Sequence, residues 1–256
     1  MQPFNASIVF SPVDLSPKAI SFIVPAYNEE QLLGQTLESI ERAARDMGVP
    51  YEVIVVDDGS TDETVLVAKS HGARVVSVAH RKISATRNAG AKVATGDVLF
   101  FIDADTLVDQ PVVQAAMDAL RSGAVGGGAA LKFDGVVPTY ARVLLPFILL
   151  LFRWMGIATG CFLFCSKRTF DAVGGFDEAY FAAEEIVLSR ALRRHGRFRV
   201  LPHSVTTSGR KLRTFSNREV LTMMLRIARS GRGGVQQRRG MELWYGDRRN
   251  DLKDDT

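Results

Sequence analysis

Apolar residues along the first hundred positions follow two alternating rhythms. Short, nearly unbroken runs at 20–26 (ISFIVPA), 52–56 (EVIVV), 74–78 and 98–102 read as buried strands. Between them the spacing becomes helical. Residues 29–47 set Leu32, Leu33, Leu37, Ile40 and Ala44 on one stripe, and 61–70 and 83–94 are also read as helices. Gly48-Val49-Pro50, Gly72 and Gly96 mark helix ends, and Ser60 or Thr61 is the expected cap of the second helix. This alternation predicts an α/β fold: a single domain with a mainly parallel open sheet and helices on both faces. In such sheets a ligand binds beyond the C-terminal strand ends. Polar clusters at 26–30, 57–62 and 103–105 fall there.

The second half is less regular. Helices are expected at 112–120, 167–173 and 186–195, and strands at 129–133, 162–165 and 198–201. Gly126-Gly127-Gly128 is read as the opening of the first of these strands. Residues 217–229 form an amphipathic, basic helical pattern. The stretch Val143–Cys165 is strongly apolar but is interrupted by Pro146, Arg153 and Gly160, so it falls short of the roughly 20 apolar residues of a spanning helix. It reads as a buried helix followed by a core strand, or as a helix lying in a membrane interface.

Charge adds an asymmetry to this picture. The 256-residue chain carries a formal +4. Residues 1–189 hold 15 Lys/Arg against 22 Asp/Glu, a net −7. Residues 190–250 hold 16 Lys/Arg against three acids, a net +13, and the last six residues contribute −2. The basic quarter points to an anionic ligand or surface near that end. The two cysteines, Cys161 and Cys165, are read as buried small hydrophobes sharing one strand face, in a reducing compartment. The N-terminus lacks the basic start and apolar run of a secretory signal. The expected location is cytoplasmic, with peripheral contact at the inner face of the membrane as an added expectation.

Four clusters carry candidate chemistry. Asp103-Ala104-Asp105 puts two carboxylates just past a buried strand, where a hard cation such as Mg²⁺ or Mn²⁺ relieves their repulsion. Asp57–Asp62 suits hydrogen bonding to a ribose or base, and equally suits a turn and helix cap. Glu184-Glu185 opens a helix, where the dipole favours ionised carboxylates and hence a general base. Gly209-Arg210-Lys211 offers cations for a diphosphate. His203 is either a metal ligand or an ordinary surface histidine.

In this order the clusters resemble a family 2 glycosyltransferase with the Rossmann-like type A fold. The strings that carry the resemblance are IVPAYNEE (23–30), VIVVDDGSTD (53–62), ATRNAG (85–90), FFIDAD (100–105), TGCFLF (159–164), GGFDE (174–178) and AEEIVLSRAL (183–192), spanning about 170 residues. The resemblance implies an inverting, metal-dependent transfer of a sugar from a nucleoside-diphosphate sugar to an acceptor hydroxyl. UDP-sugars are favoured and GDP-sugars kept open. It places Pro25, Ala26, Tyr27 and Glu29 in the nucleoside pocket, Asp58 at the base and Arg87 near the sugar-diphosphate. Asp103 and Asp105 become the D-x-D motif for ribose and metal, with Asp105 the preferred metal ligand. Glu185 becomes the base, with Glu184 as alternate. Glu stands here where the family has Asp, which lengthens the reach by about 1.5 Å. Residues 1–213 form the expected glycosyltransferase domain, with a nucleotide-binding half at 20–110, an acceptor-side half at 111–213, and a basic C-terminal helix and tail at 214–256.

Gln236-Gln237-Arg238-Arg239 matches the start of the Q-x-x-R-W string of processive synthases, but Gly240 replaces its Trp, so single transfer is expected. The acceptor is open, with a lipid-linked one among the expectations. Rival classes fare worse. The D-x-D-x-T motif of haloacid-dehalogenase phosphatases is missed because Thr106 comes one position early. A dinucleotide-binding G-x-G-x-x-G is absent after the first strand. The basic quarter lacks the aromatic interleaving of a nucleic-acid binder, so no nucleic-acid partner is expected. A noncatalytic scaffold of the same fold is the alternative reading.

Overall fold

The computed structural model describes residues 19–214. They fold around one eight-stranded sheet: β1 (Ile20–Ala26), β2 (Tyr51–Asp57), β3 (Arg74–Ser77), β4 (Val98–Ile102), β5 (Thr106–Leu107), β6 (Ala124–Phe133), β7 (Phe162–Ser166) and β8 (Arg197–Thr207). The strand order is β3-β2-β1-β4-β7-β6-β8-β5. The β1–β2, β1–β4, β2–β3 and β6–β8 pairs are parallel. β7 runs antiparallel between β4 and β6, and β5 antiparallel to β8. The sheet is thus mostly parallel, as the strand–helix alternation implies.

The helices are α1 (Leu33–Arg45), α2 (Thr64–Ser70), α3 (Ile83–Val93), α4 (Gln110–Arg121), α5 (Thr139–Met155), α6 (Lys167–Val173), α7 (Glu184–Arg193) and α8 (Arg210–Thr214). Strand parity divides the core into two layers. Phe22, Val24, Phe100, Phe162 and Phe164 join the buried faces of α1 and α4. Ile23, Ile54, Val56, Phe101 and Leu163 pack on the other face with α3, α6 and α7. Near-continuous apolar runs in β1 and β4 follow from burial on both sides.

Several expectations need correction. Gly126–Gly128 do not open β6 from outside; they lie within it. A Cβ on Gly127 would stand 2.0 Å from Arg199 O, and one on Gly128 2.3 Å from Ala158 Cβ. Glycine is what allows these backbones to approach. The cap expected at Ser60 or Thr61 does not form: α2 starts at Thr64 with Glu63 in the cap position and no side-chain cap bond, while Asp62, one residue earlier, accepts from Thr64 N through Oδ1 at 3.0 Å. Cys161 and Cys165 are both buried, but on opposite layers. Cys161 precedes β7 and turns toward the first core, while Cys165 lies in β7 and faces the second. Burial pushes both thiols up, Cys161 to about 12, so neither is a thiolate near neutrality.

No helix among the described residues is long and apolar enough to cross a membrane. α5 is helical, as both readings required, but it is not buried: Phe147, Leu150 and Trp154 are 68%, 65% and 83% exposed. The basic pattern at 217–229 and the Gln236–Gly240 string lie outside the described residues.

Candidate active site

The strand order reverses at β1, with β2 on one side and β4 on the other. β1 pairs with β4 only as far as Ile23, two residues before Pro25. Beyond that point the two strand ends are free to diverge, as at the switch point of an open α/β sheet. The loops after β1, β2 and β4 surround this crevice, so the topology brings Pro25–Glu29, Asp58 and Asp103–Asp105 to one end.

The first two loops brace each other. Asn28 takes a left-handed backbone, φ 50°, which asparagine tolerates. Its N–H donates to Ser60 Oγ at 3.0 Å, and its Oδ1 accepts from Thr61 N at 2.8 Å. Glu29 N donates to Thr64 Oγ1 at 2.8 Å. Much of the Asp57–Asp62 run therefore does turn-and-cap work. Asp58, assigned to the base, is buried and accepts from Arg81 N at 2.8 Å, Lys82 N at 3.1 Å and Thr86 Oγ1 at 2.8 Å. Tyr27 carries the Arg81 guanidinium 3.5 Å above its ring. Glu29 is buried and holds Arg210 through both oxygens, at 3.0 and 2.8 Å.

A second group forms around Arg87, which is only 1% exposed. Arg87, expected near a sugar-diphosphate, is enclosed by protein acceptors. Nη2 donates to Asp103 Oδ1 at 2.7 Å and to Gly160 O at 2.8 Å, and Nη1 donates to Glu184 Oε1 at 2.9 Å. Burial opposes the cation, but Asp103 and Glu184 outweigh it and push Arg87 above the usual arginine range. Its Nε is buried without a partner among the described residues. One turn of α3 thus ties four motifs together. Thr86 holds Asp58, and Arg87 holds Asp103 and Glu184. Asn88 clasps the backbone of Phe176, accepting from its N–H and donating to its carbonyl, each at 2.9 Å.

Glu184 and Glu185 open α7, after Ala183 in a left-handed conformation at φ 63°. Glu184 is buried against Arg87, and burial raises its carboxyl despite that cation. Glu185 makes no comparable ion pair with Arg87; burial first, and Glu184 second, push it up to about 8. Its carboxylate lies against Gly160, where an added Cβ would be 3.6 Å from Oε1. This runs against the ionised pair expected from the helix dipole: near neutrality most of the Glu185 carboxyl carries a proton, and its ionised form, once populated, is a stronger proton acceptor than an ordinary glutamate.

Asp105 is held from β8. Thr207 Oγ1 donates to its Oδ1 at 3.3 Å, and Ser208 N donates to its carbonyl at 3.1 Å. Arg210 follows directly in α8, and its bond to Glu29 closes the strap from β8 over the loop after β1. Arg210 was read as a cation for diphosphate; it is a buried partner of Glu29 instead. His203 is exposed on β8. Among the described residues no three His, Cys, Asp or Glu side chains converge on a common point. A magnesium-like cation needs only one or two carboxylates when substrate phosphates and water complete its shell. Asp105 and the second oxygen of Asp103 fit that mode. The sequence pattern offered no sign of Gly160 beside Glu185, of Thr207 on Asp105, or of the Arg210–Glu29 pair.

Comparison with known proteins bears on the family and the fold. Residues 21–176 match the family described as glycosyl transferase family 2. A 4,4'-diaponeurosporenoate glycosyltransferase of Staphylococcus aureus is 39% identical over 113 residues, covering 41% of this chain and 29% of that protein. The match thus spans less than a third of that curated relative's length. Among solved structures, a mannosyltransferase from Pyrobaculum calidifontis, in complex with GDP-Man and Mn²⁺, superposes with a TM-score of 0.63 at 19% identity, covering 81% of this chain and 60% of that one. Glucosyl-3-phosphoglycerate synthase from Mycobacterium tuberculosis, in complex with Mn²⁺ and UDP-glucose, gives 0.58 at 19% identity, covering 85% and 79%. These two share the fold. With 156 consecutive residues matched, the chain belongs to glycosyl transferase family 2.

Proposed function

We propose that the protein transfers one sugar from a nucleoside-diphosphate sugar to an acceptor hydroxyl, with inversion at the anomeric carbon. The observation that carries the reading is the single buried guanidinium of Arg87, which binds a carboxylate of the D-x-D motif and Glu184, the neighbour of Glu185. Donor site and base are thereby held in one rigid unit, as a reaction between two bound substrates requires.

In this reading Glu185 accepts the proton of the acceptor hydroxyl. The oxygen attacks the anomeric carbon from the face opposite the nucleoside diphosphate, and the bond to the diphosphate breaks as the new glycosidic bond forms. Glu184 and Arg87 fix the start of α7, so that Glu185 faces the acceptor side at Gly160. Pro25, Ala26, Tyr27 and Glu29 border the nucleoside site, with Asp58 beneath it. Asp105, with Asp103 beside it, would hold a divalent cation, Mg²⁺ or Mn²⁺. Such an ion supplies neutralisation of the charge that develops on the diphosphate. The Mn²⁺ complexes of two structural relatives support that choice. Those relatives hold UDP-glucose and GDP-Man, so both nucleotides belong in the donor screen, UDP-sugars first.

The test is turnover of a nucleotide-sugar panel with Mn²⁺, with and without a chelator. Asp105→Ala and Glu185→Gln are each expected to lower turnover by at least about 100-fold, the low end for a lost acid–base group. Full activity in both variants would sink the mechanism. A wild type that binds nucleotide sugar and never breaks the anomeric bond would favour the noncatalytic alternative.

A further inference from the structure

Beneath α5 lies a half-open cavity of about 240 Å³. α5 contributes Leu149, Leu150 and Phe152, the chain after α5 contributes Ile157, and β8 contributes Val200 and Leu201. Leu150 and Arg153 are exposed and mark the outer end; Ile157, Leu201 and Thr159 are buried and mark the inner end. The inner end offers little polar recognition. The Thr159 hydroxyl already donates to Ala129 O at 2.9 Å. A sugar or phosphate acceptor placed here would lose its hydrogen bonds to water without replacement. The volume is also below the roughly 300–1,000 Å³ of pockets that enclose a drug-sized ligand. It suits a length of chain better than a ring system.

The location gives the cavity a meaning. Thr159, in its inner wall, is followed directly by Gly160, against which the Glu185 carboxylate lies. Gly160 and Glu185 do not line the cavity, but its inner wall ends one residue short of their contact, so a chain entering past Leu150 and running inward would point its end group toward that segment. We infer that this cavity is the acceptor subsite for a hydrocarbon chain, alkyl or isoprenoid, whose terminal hydroxyl is the group glycosylated. The inference rests on the reading of Glu185 as the base. Arg153, beside the outer end, suits an amphiphile delivered from an anionic surface.

The test uses the full chain and a hexadecanol carrying a photoreactive diazirine in mid-chain, with adducts mapped by mass spectrometry. Adducts are expected on residues 146–157 and 200–201 and are to be displaced by unlabelled hexadecanol. Leu150→Glu, a change at an exposed position that brings a carboxylate to the cavity, is expected to cut labelling there by about tenfold, as is the filling change Ala130→Leu. Labelling that both variants leave unchanged, or that spreads over the outer face of α5, would overturn the inference. So would displacement by phosphatidylcholine vesicles as effective as by hexadecanol, since the cavity would then take bilayer chains. Nucleotide-sugar hydrolysis is followed in parallel. Hydrolysis without cavity labelling removes only the acceptor subsite, whereas full turnover by Glu185→Gln removes the mechanism on which it rests.

Discussion

At the scale of single residues, the site is governed by how few cations serve many carboxylates. Arg87 is shared by Asp103 and Glu184, while Glu185 is left to burial and to its neighbour's charge. A carboxyl lifted from 4.5 to about 8 keeps its proton in the folded chain over a range where the unfolded chain has released it. Stability therefore falls as pH rises through that window. Glu185→Gln is expected to flatten this slope: in thermal melts without nucleotide, the variant gains on the wild type between pH 5 and pH 9. Parallel melting curves would show that Glu185 ionises normally. The converse holds for Arg87. Arg87→Met leaves Asp103 and Glu184 without their cation and is expected to cost about 3 kcal/mol, the low end for a broken buried pair because Asp103 is partly exposed. Protonation of the two carboxyls relieves the loss, so the deficit in urea unfolding is to be largest near neutrality and smaller in acid. Arg87→Lys retains charge but not the fork that reaches three acceptors, so it is expected to lie between wild type and Arg87→Met.

At the scale of elements, close backbone approach is as decisive as apolar pattern. β6 runs between β7 and β8 through Gly126–Gly128, where those strands and Ala158 leave no room for side chains. Gly128→Ala would press its methyl within 2.3 Å of Ala158 Cβ and 2.9 Å of Phe162 O. An overpacking cost of about 1–3 kcal/mol is expected, read as a lower urea midpoint; an unchanged midpoint would mean that β6 and the Ala158 turn separate freely. The same element shows where sequence pattern stops. β1, β4 and α6 could be bounded to the residue, because an apolar run or a Ser–Gly frame encloses each. β6 could not, since three glycines carry no hydrophobic signal. Strand parity also misplaced Cys161, which lies one residue outside β7 and so escapes its alternation. Within the site, the carboxylates were legible as clusters at strand ends. Their partners were not: Arg210 lies 181 positions from Glu29, and periodicity treats an arginine as a surface residue.

At the scale of the molecule, the exposed face of α5 ends beside a basic side chain. Val143, Phe147, Leu150 and Trp154 recur at helical spacing and point outward. Burial in a membrane interface would cover such a face, and α5 is amphipathic without being long enough to span. The Arg193 guanidinium donates to Met155 O, so α7 is attached where α5 ends. Exposed Arg193, the last residue of α7, thereby brings basic charge to the end of the apolar stripe. Such an arginine near an anionic leaflet contributes about 1 kcal/mol at close range, within a Debye length. The protein is expected to float with phosphatidylglycerol vesicles at low salt and much less with phosphatidylcholine vesicles. Salt should weaken the charge term and leave the apolar one. Phe147→Ser combined with Trp154→Ser should reduce flotation by about tenfold or more, since two large exposed side chains lose their insertion energy. Because neither residue lines the cavity or the carboxylate cluster, this variant should retain nucleotide-sugar binding in solution. Failure of the wild type to float with anionic vesicles at low salt would remove the membrane from the account. Flotation unaltered by the double variant would move the contact away from α5.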